Sequence, residues 1–87
     1  MDFEYNPVKS NSNKIKHGID FDEAKQLWED KNLLEVQATS IDEPRFLMIG
    51  KIESVFWSAV ITYRKERIRI ISVRRSRPEE VGLYEEN

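Results

Sequence analysis

The stretch "RKERIRIISVRRSR", Arg64 to Arg77, constrains the fold more than any other. Its alternation of Arg67, Ile68, Arg69 and Ile70 suits an extended strand, whose side chains point in turn to opposite faces. Such a strand must cover its apolar side and is left with a basic one. The stretch holds seven arginines and lysines against one acid, Glu66. Since the chain as a whole has a net charge of −2, the remaining residues carry −8. A local basic block of this kind suits a polyanion, although arginines paired to the glutamates of the tail "PEEVGLYEEN" would need none.

The rest of the chain supplies the partners for that strand. "LLEVQA", "RFLMIGK" and "SVFWSAVITYR" are further strand-like runs, rich in β-branched and aromatic residues. The connections "TSIDEP", "KIE" and "KE" are short enough for antiparallel hairpins. Upstream, "DFEY" reads as a short strand and Asn6-Pro7 as a helix start, with proline in the first turn. The polar helix that follows ends at His17 and Gly18, and Ile15 is its one clear core residue. Asp20 and Glu23 form a capping box before a second helix with an apolar stripe of Phe21, Ala24, Leu27 and Trp28. After Ser76 the tail suits a short helix with Val81 and Tyr84 turned inward. The expected fold is one α+β domain over residues 1–87, in the order β-α-α-β-β-β-β-α. Its sheet is mostly antiparallel, with the helices packed on one face.

Several chemistries are poorly supplied. With no cysteine there is no disulfide or thiolate site, and one histidine among scattered carboxylates offers no ligand set, so neither metal nor other cofactor is expected. Three dispersed glycines form no phosphate loop, and no nucleophile elbow is present. The N-terminus lacks a signal-like apolar region and no run approaches a membrane span, so a cytoplasmic protein with no membrane partner is the expectation.

What the chain does hold suits RNA. Ribonucleases without metal let a 2′-hydroxyl attack its own phosphate. The protein must then handle that proton, protonate the departing 5′-oxygen and stabilise the charged phosphorane. Arginine suits the last task through its planar, permanently charged fork, and Arg67, Arg69, Arg74 and Arg75 are the candidates on the basic strand. His17 is the one imidazole able to exchange protons near neutral pH. Tyr63, Tyr84 and Trp57 could stack on an unpaired base. Each has a structural alternative: His17 as a cation at a helix C-terminus, the tryptophans as core, and Glu79 and Glu80 as a favourable charge at a helix start.

The order of these features resembles the BrnT family of bacterial type II toxins. "FEYNPVKSNSNKIKHGIDFDEA" is similar to that family's opening, with Lys16-His17-Gly18 and a Phe-x-Glu-Ala helix. Asp30, Glu43-Pro44-Arg45, Gly50 and the strand "TYRKERIRIISVRRS" follow in the family's order, then Glu80 and Tyr84. The resemblance implies a RelE-like fold and an endoribonuclease that blocks translation by cutting mRNA, free or on the ribosome. It also implies a cognate ribbon-helix-helix antitoxin, with operator DNA bound only through the toxin–antitoxin complex. Carried over by position, the site residues it implies are Lys16, His17, Arg45, Arg64, Arg67, Ser72, Arg74, Glu80 and Tyr84. The working assignment has Arg67 and Arg74 on the scissile phosphate and His17 or Glu80 handling protons, with Lys16, Arg45, Arg64, Arg69, Ser72, Arg75 and Tyr84 binding RNA. Two other readings stay open: a non-enzymatic module whose basic strand docks an acidic or antitoxin peptide by sheet augmentation, and a DNA-binding regulator.

Overall fold

The structure, a computed structural model, describes residues 1–39 and 41–87. Its elements run β1 (Asp2–Glu4), α1 (Pro7–His17), α2 (Phe21–Ala24) leading into a 3₁₀ segment (Lys25–Glu29), β2 (Leu34–Ala38), β3 (Arg45–Ile52), β4 (Val55–Arg64), β5 (Arg67–Arg75) and α3 (Pro78–Glu86). The expected α+β class and element order hold. Strands β2 to β5 form an antiparallel meander, and β1 adds to it in parallel beside β5, giving the order β1-β5-β4-β3-β2. Ser40, in the expected "TSIDEP" connection, lies outside the described residues. Among the described residues no helix is long and apolar enough to cross a membrane.

Paired residues share a side of the sheet and successive residues alternate. One side, the closed face, carries Met48, Ala59, Ile61, Ile68, Ile70 and Val73, which pack with Ile19, Phe21, Ala24 and Leu27 into the core. Gly50 also belongs to this face. A methyl group there would stand 2.8 Å from Leu33 Cδ1 and 3.1 Å from Leu27 Cδ2, so the absent side chain lets the 3₁₀ segment lie close to β3.

The caps expected from sequence are present. Asn6 Oδ1 accepts from the backbone of Val8 and Lys9, and Asp20 and Glu23 exchange the two bonds of a capping box. Gly18, at φ 82°, ends α1 immediately after His17.

Three expectations are corrected. Ile15 is 88% exposed; α1 instead buries Ser10 and Asn13. Ser10 Oγ accepts from Phe21 N, while Asn13 bonds both backbone groups of Val73 and the carbonyl of Ile19. These polar residues face inward because they satisfy backbone groups that would otherwise lack partners: those of Val73, beyond the reach of β1, and those of Ile19 and Phe21 after α1. The stripe Phe21 to Trp28 is not one helix, since it tightens to 3₁₀ at Lys25. Finally, α3 does not join α1 and α2. It lies across the opposite, open face, where Tyr84 packs edge-on against Phe56 and donates to Asp30 Oδ2. That same carboxylate oxygen accepts from Lys51 N, so Asp30 joins α3 to the end of β3.

Candidate active site

One irregularity decides which arginines meet on the open face. Simple alternation from Arg67 and Arg69 would place Ile71, Val73 and Arg75 beside them and send Arg74 into the core. The β4–β5 register shifts instead: Ile61 faces Ile70, but Val60 faces Ser72, leaving Ile71 as the extra residue of a bulge. Beyond it, Val73 turns to the core opposite Ala59, and Ser72 and Arg74 turn to the open face. Arg75 goes to the closed side, where its guanidinium lies 5.6 Å from the Trp57 ring centre.

Arg74 is held firmly. Its Nη1 and Nη2 donate to the two oxygens of Glu80 at 2.8 and 2.7 Å, and Nη1 also donates to the Arg75 carbonyl. Glu80 reaches this position because it is the third residue of α3, where its Oε1 accepts from Arg77 N and from Ser58 Oγ. Arg74 pulls the Glu80 carboxyl down to about 2; burial opposes this, and Arg77 N and Ser58 add to it. The hydrogen bond to Glu80 raises the Arg74 guanidinium in turn. Glu80 is therefore ionised throughout the neutral range and has no proton to give, while its lone pairs are committed to holding Arg74.

Beside Ser72 a hollow of about 270 Å³ opens between α1 and β5, lined among others by Lys9, Ser12, Lys16, His17 and Ser72. His17 is half-buried at the last turn of α1, its ring brought to this hollow by the helix that Gly18 terminates. An imidazole, two amines and two hydroxyls thus border one space, with a fixed guanidinium two residues along the strand from Ser72. This arrangement can seat a phosphate, stabilise added charge on it and exchange a proton.

The other sequence-named residues lie elsewhere. Arg67 is seven positions from Arg74, about 20 Å along the strand, so the two do not share one phosphate. Arg64, Arg67 and Arg69 instead gather round Glu4, with Arg69 Nη1 at 2.9 Å and the other two at 3.8 and 3.9 Å. Arg45 is two strands over, half-buried on the same face. Tyr84 is packed into the sheet and its hydroxyl, raised by burial and by Asp30, is already engaged. Tyr63 stands on the closed side, bonded to Glu35, with burial and that carboxylate raising its hydroxyl to about 12. Trp57 packs against the core. None of these three aromatic rings faces the hollow.

Lys9, Ser12, Asn13, Ser58 and Glu4 had escaped notice. The spacing of Lys9, Asn13 and Lys16 over two helical turns is a signal that could have found the first of them. No comparable sign marks Ser58 or Glu4. Among the described residues no group of three or more histidines or carboxylates could hold a metal.

A family model described as ribonuclease toxin, BrnT, of type II toxin–antitoxin system matches residues 5–80. No curated protein matches the chain. The matched span runs from Tyr5 to Glu80, and so takes in α1, the whole β2–β5 meander and the carboxylate that holds Arg74. The chain belongs to the BrnT family, the ribonuclease toxins of type II toxin–antitoxin systems, whose members act on RNA and are paired with an antitoxin.

Proposed function

We propose that this chain is a metal-independent endoribonuclease whose reaction centre is the hollow of Lys16, His17 and Ser72 with Arg74 beside it. The observation that carries this reading is the bulge at Ile71, which turns Arg74 away from the core to the same face as Ser72, a residue that lines the hollow together with His17. In the proposed reaction the 2′-oxygen forms a bond to its own phosphorus and the bond from phosphorus to the 5′-oxygen breaks. The products are a 2′,3′-cyclic phosphate and a free 5′-hydroxyl. His17 exchanges a proton with the reacting oxygens, Arg74 stabilises the charge gathered on the phosphorus oxygens, and Lys16 and Ser72 orient the phosphate. Glu80 takes no proton; it positions Arg74. The biological reading follows the family: mRNA cleavage, on or off the ribosome, in the cytoplasm. A ribbon-helix-helix antitoxin would neutralise the toxin and repress the operon with it.

The test is end-mapping of RNA cut by the purified protein in EDTA, with His17→Asn and Arg74→Lys alongside. Discrete cuts ending in 2′,3′-cyclic phosphate, lost by at least 100-fold in His17→Asn, are expected. Cuts that persist in both variants would remove the hollow from the chemistry. A folded wild type that cuts neither naked nor ribosome-loaded message would favour the non-enzymatic module. That module could not extend the sheet along the upper half of β5, because Asn13 already holds the Val73 edge.

A further inference from the structure

At the other end of the open face, Arg64, Arg67 and Arg69 surround the carboxylate of Glu4, and Glu4, Arg64, Lys65 and Arg67 line a hollow of about 590 Å³. The proposed reaction centre uses none of them. Arg64 and Arg67 are paired directly across the β4–β5 hairpin, a like-charge opposition that destabilises a sheet unless an anion relieves it. Glu4, with Glu43 at 3.8 Å from Arg64 Nη2, sets two negative charges against the three guanidinium groups and Lys65, so the bank stays electropositive. Arg45 stands on the same face one strand beyond Thr62, itself opposite Arg69. Its Nε is a buried donor with no hydrogen-bond partner among the described residues, an uncommon condition in a folded protein. Between this bank and Arg74 runs a half-exposed apolar band of Val36, Leu47 and Val60.

We infer that the Arg64–Arg67–Arg69 bank, with Arg45, is a second phosphate site for the same RNA strand, in which Glu4 holds the arginines in place of a phosphate until RNA arrives. The inference rests on the RNA reading above and extends it to substrate length. Arg69 lies level with Thr62 and Arg74 level with Ser58, four residues apart on β4 or about 13 Å. At that distance a phosphate at one site and a phosphate at the other belong to different nucleotides. The strand between them crosses Val60 and Leu47, apolar surface against which a sugar or base can lie. The glutamate sets a threshold: a single phosphate gains little over the carboxylate it displaces, while a strand already seated at Arg74 brings its phosphate in at high effective concentration.

The experiment measures binding of 2′-O-methyl oligonucleotides, which cannot be cut, as a dinucleotide and as a hexanucleotide, across a salt series. Arg64 and Arg67 are exposed and make only long ion pairs, so Arg64→Gln/Arg67→Gln retains the fold. That double variant is expected to lose hexamer affinity on the order of tenfold and to lower the salt slope by about 1 to 1.5. Glu4→Gln is expected to raise hexamer affinity about threefold, a gain that a merely structural glutamate would not give. Hexamer binding within twofold of wild type in the double variant, or no gain in Glu4→Gln, would overturn the inference. So would an oligoglutamate of equal charge that binds as tightly and responds alike, which would give the bank to an acidic protein segment. If the hexamer behaves as expected while the wild type cuts no RNA, only the ribonuclease reading fails; if it cuts RNA and the hexamer does not respond, only the second site fails.

Discussion

The two faces of the sheet are built from the same strands and obey opposite rules. On the closed face Ala59, Ile61 and Val73 are wholly buried and interlock with Phe21 and Leu27. On the open face the same strands offer Ser58, Thr62, Ser72 and four arginines, and the order there comes from hydrogen bonds and ion pairs. Stability is concentrated on the first and charge on the second. Substitutions should separate them accordingly.

The largest effect belongs to the closed face. Ile61→Ala removes a fully buried side chain and should lower unfolding free energy by about 2–4 kcal/mol, seen in urea unfolding as a lower midpoint with an unchanged slope. A loss under 1 kcal/mol would mean that the core tolerates a cavity and that the contrast is overstated. Next comes Glu80, a charged group of the open face that is itself buried. Its carboxyl is depressed from 4.5 to about 2 in the folded protein. The stability it adds is therefore fully present above about pH 4.5 and lost as the pH falls through about 2. Glu80→Gln should cost on the order of 2 kcal/mol at neutral pH, and that cost should shrink below about pH 4.5 and vanish only below about pH 2, where protonation has removed the wild type's advantage. A cost independent of pH would point to lost packing instead.

A smaller change runs the other way. The β4–β5 turn places Lys65 and Glu66 at φ 47° and 71°, the left-handed pair of a type I′ turn that asparagine and glycine occupy with less strain. Lys65→Asn/Glu66→Gly should stabilise by about 1 kcal/mol, raising the thermal midpoint by a few degrees. Smallest of all, Arg67→Ala should shift stability by less than about 0.5 kcal/mol, its contact to Glu4 being long and exposed.

How much of this was legible depended on whether the signal was local. The caps at Asn6 and Asp20 and the stop at Gly18 follow from neighbours within four residues, and the sequence carries them openly. The alternation of β5 is equally plain up to Ile70, and fails at Ile71 because a bulge is a property of two strands and leaves no mark on one. Hence Arg74 and Arg75 could not be told apart by face, nor Arg67 set apart from Arg74. Ile15 misled because apolar character argues for burial only where a partner surface exists. Asn13 is buried for the opposite reason: it completes a backbone that β1 does not cover. A nine-residue helix such as α3 could dock on either side, and its choice is made by Glu80 finding Arg74 and Tyr84 finding Asp30, partners 6 and 54 positions away.

The parallel pairing of β1 with β5 also has a temporal meaning. Glu4 is made early and its partner Arg69 comes 65 residues later, so the strand that begins the sheet must wait for the one that completes it. Loop closure over such a span makes this among the slowest contacts to form. Asn13 waits likewise for Val73, 60 residues on. On the proposed reading, both ends of the RNA path, the hollow and the arginine bank, are assembled around β5, and a growing chain would have neither until β5 has docked.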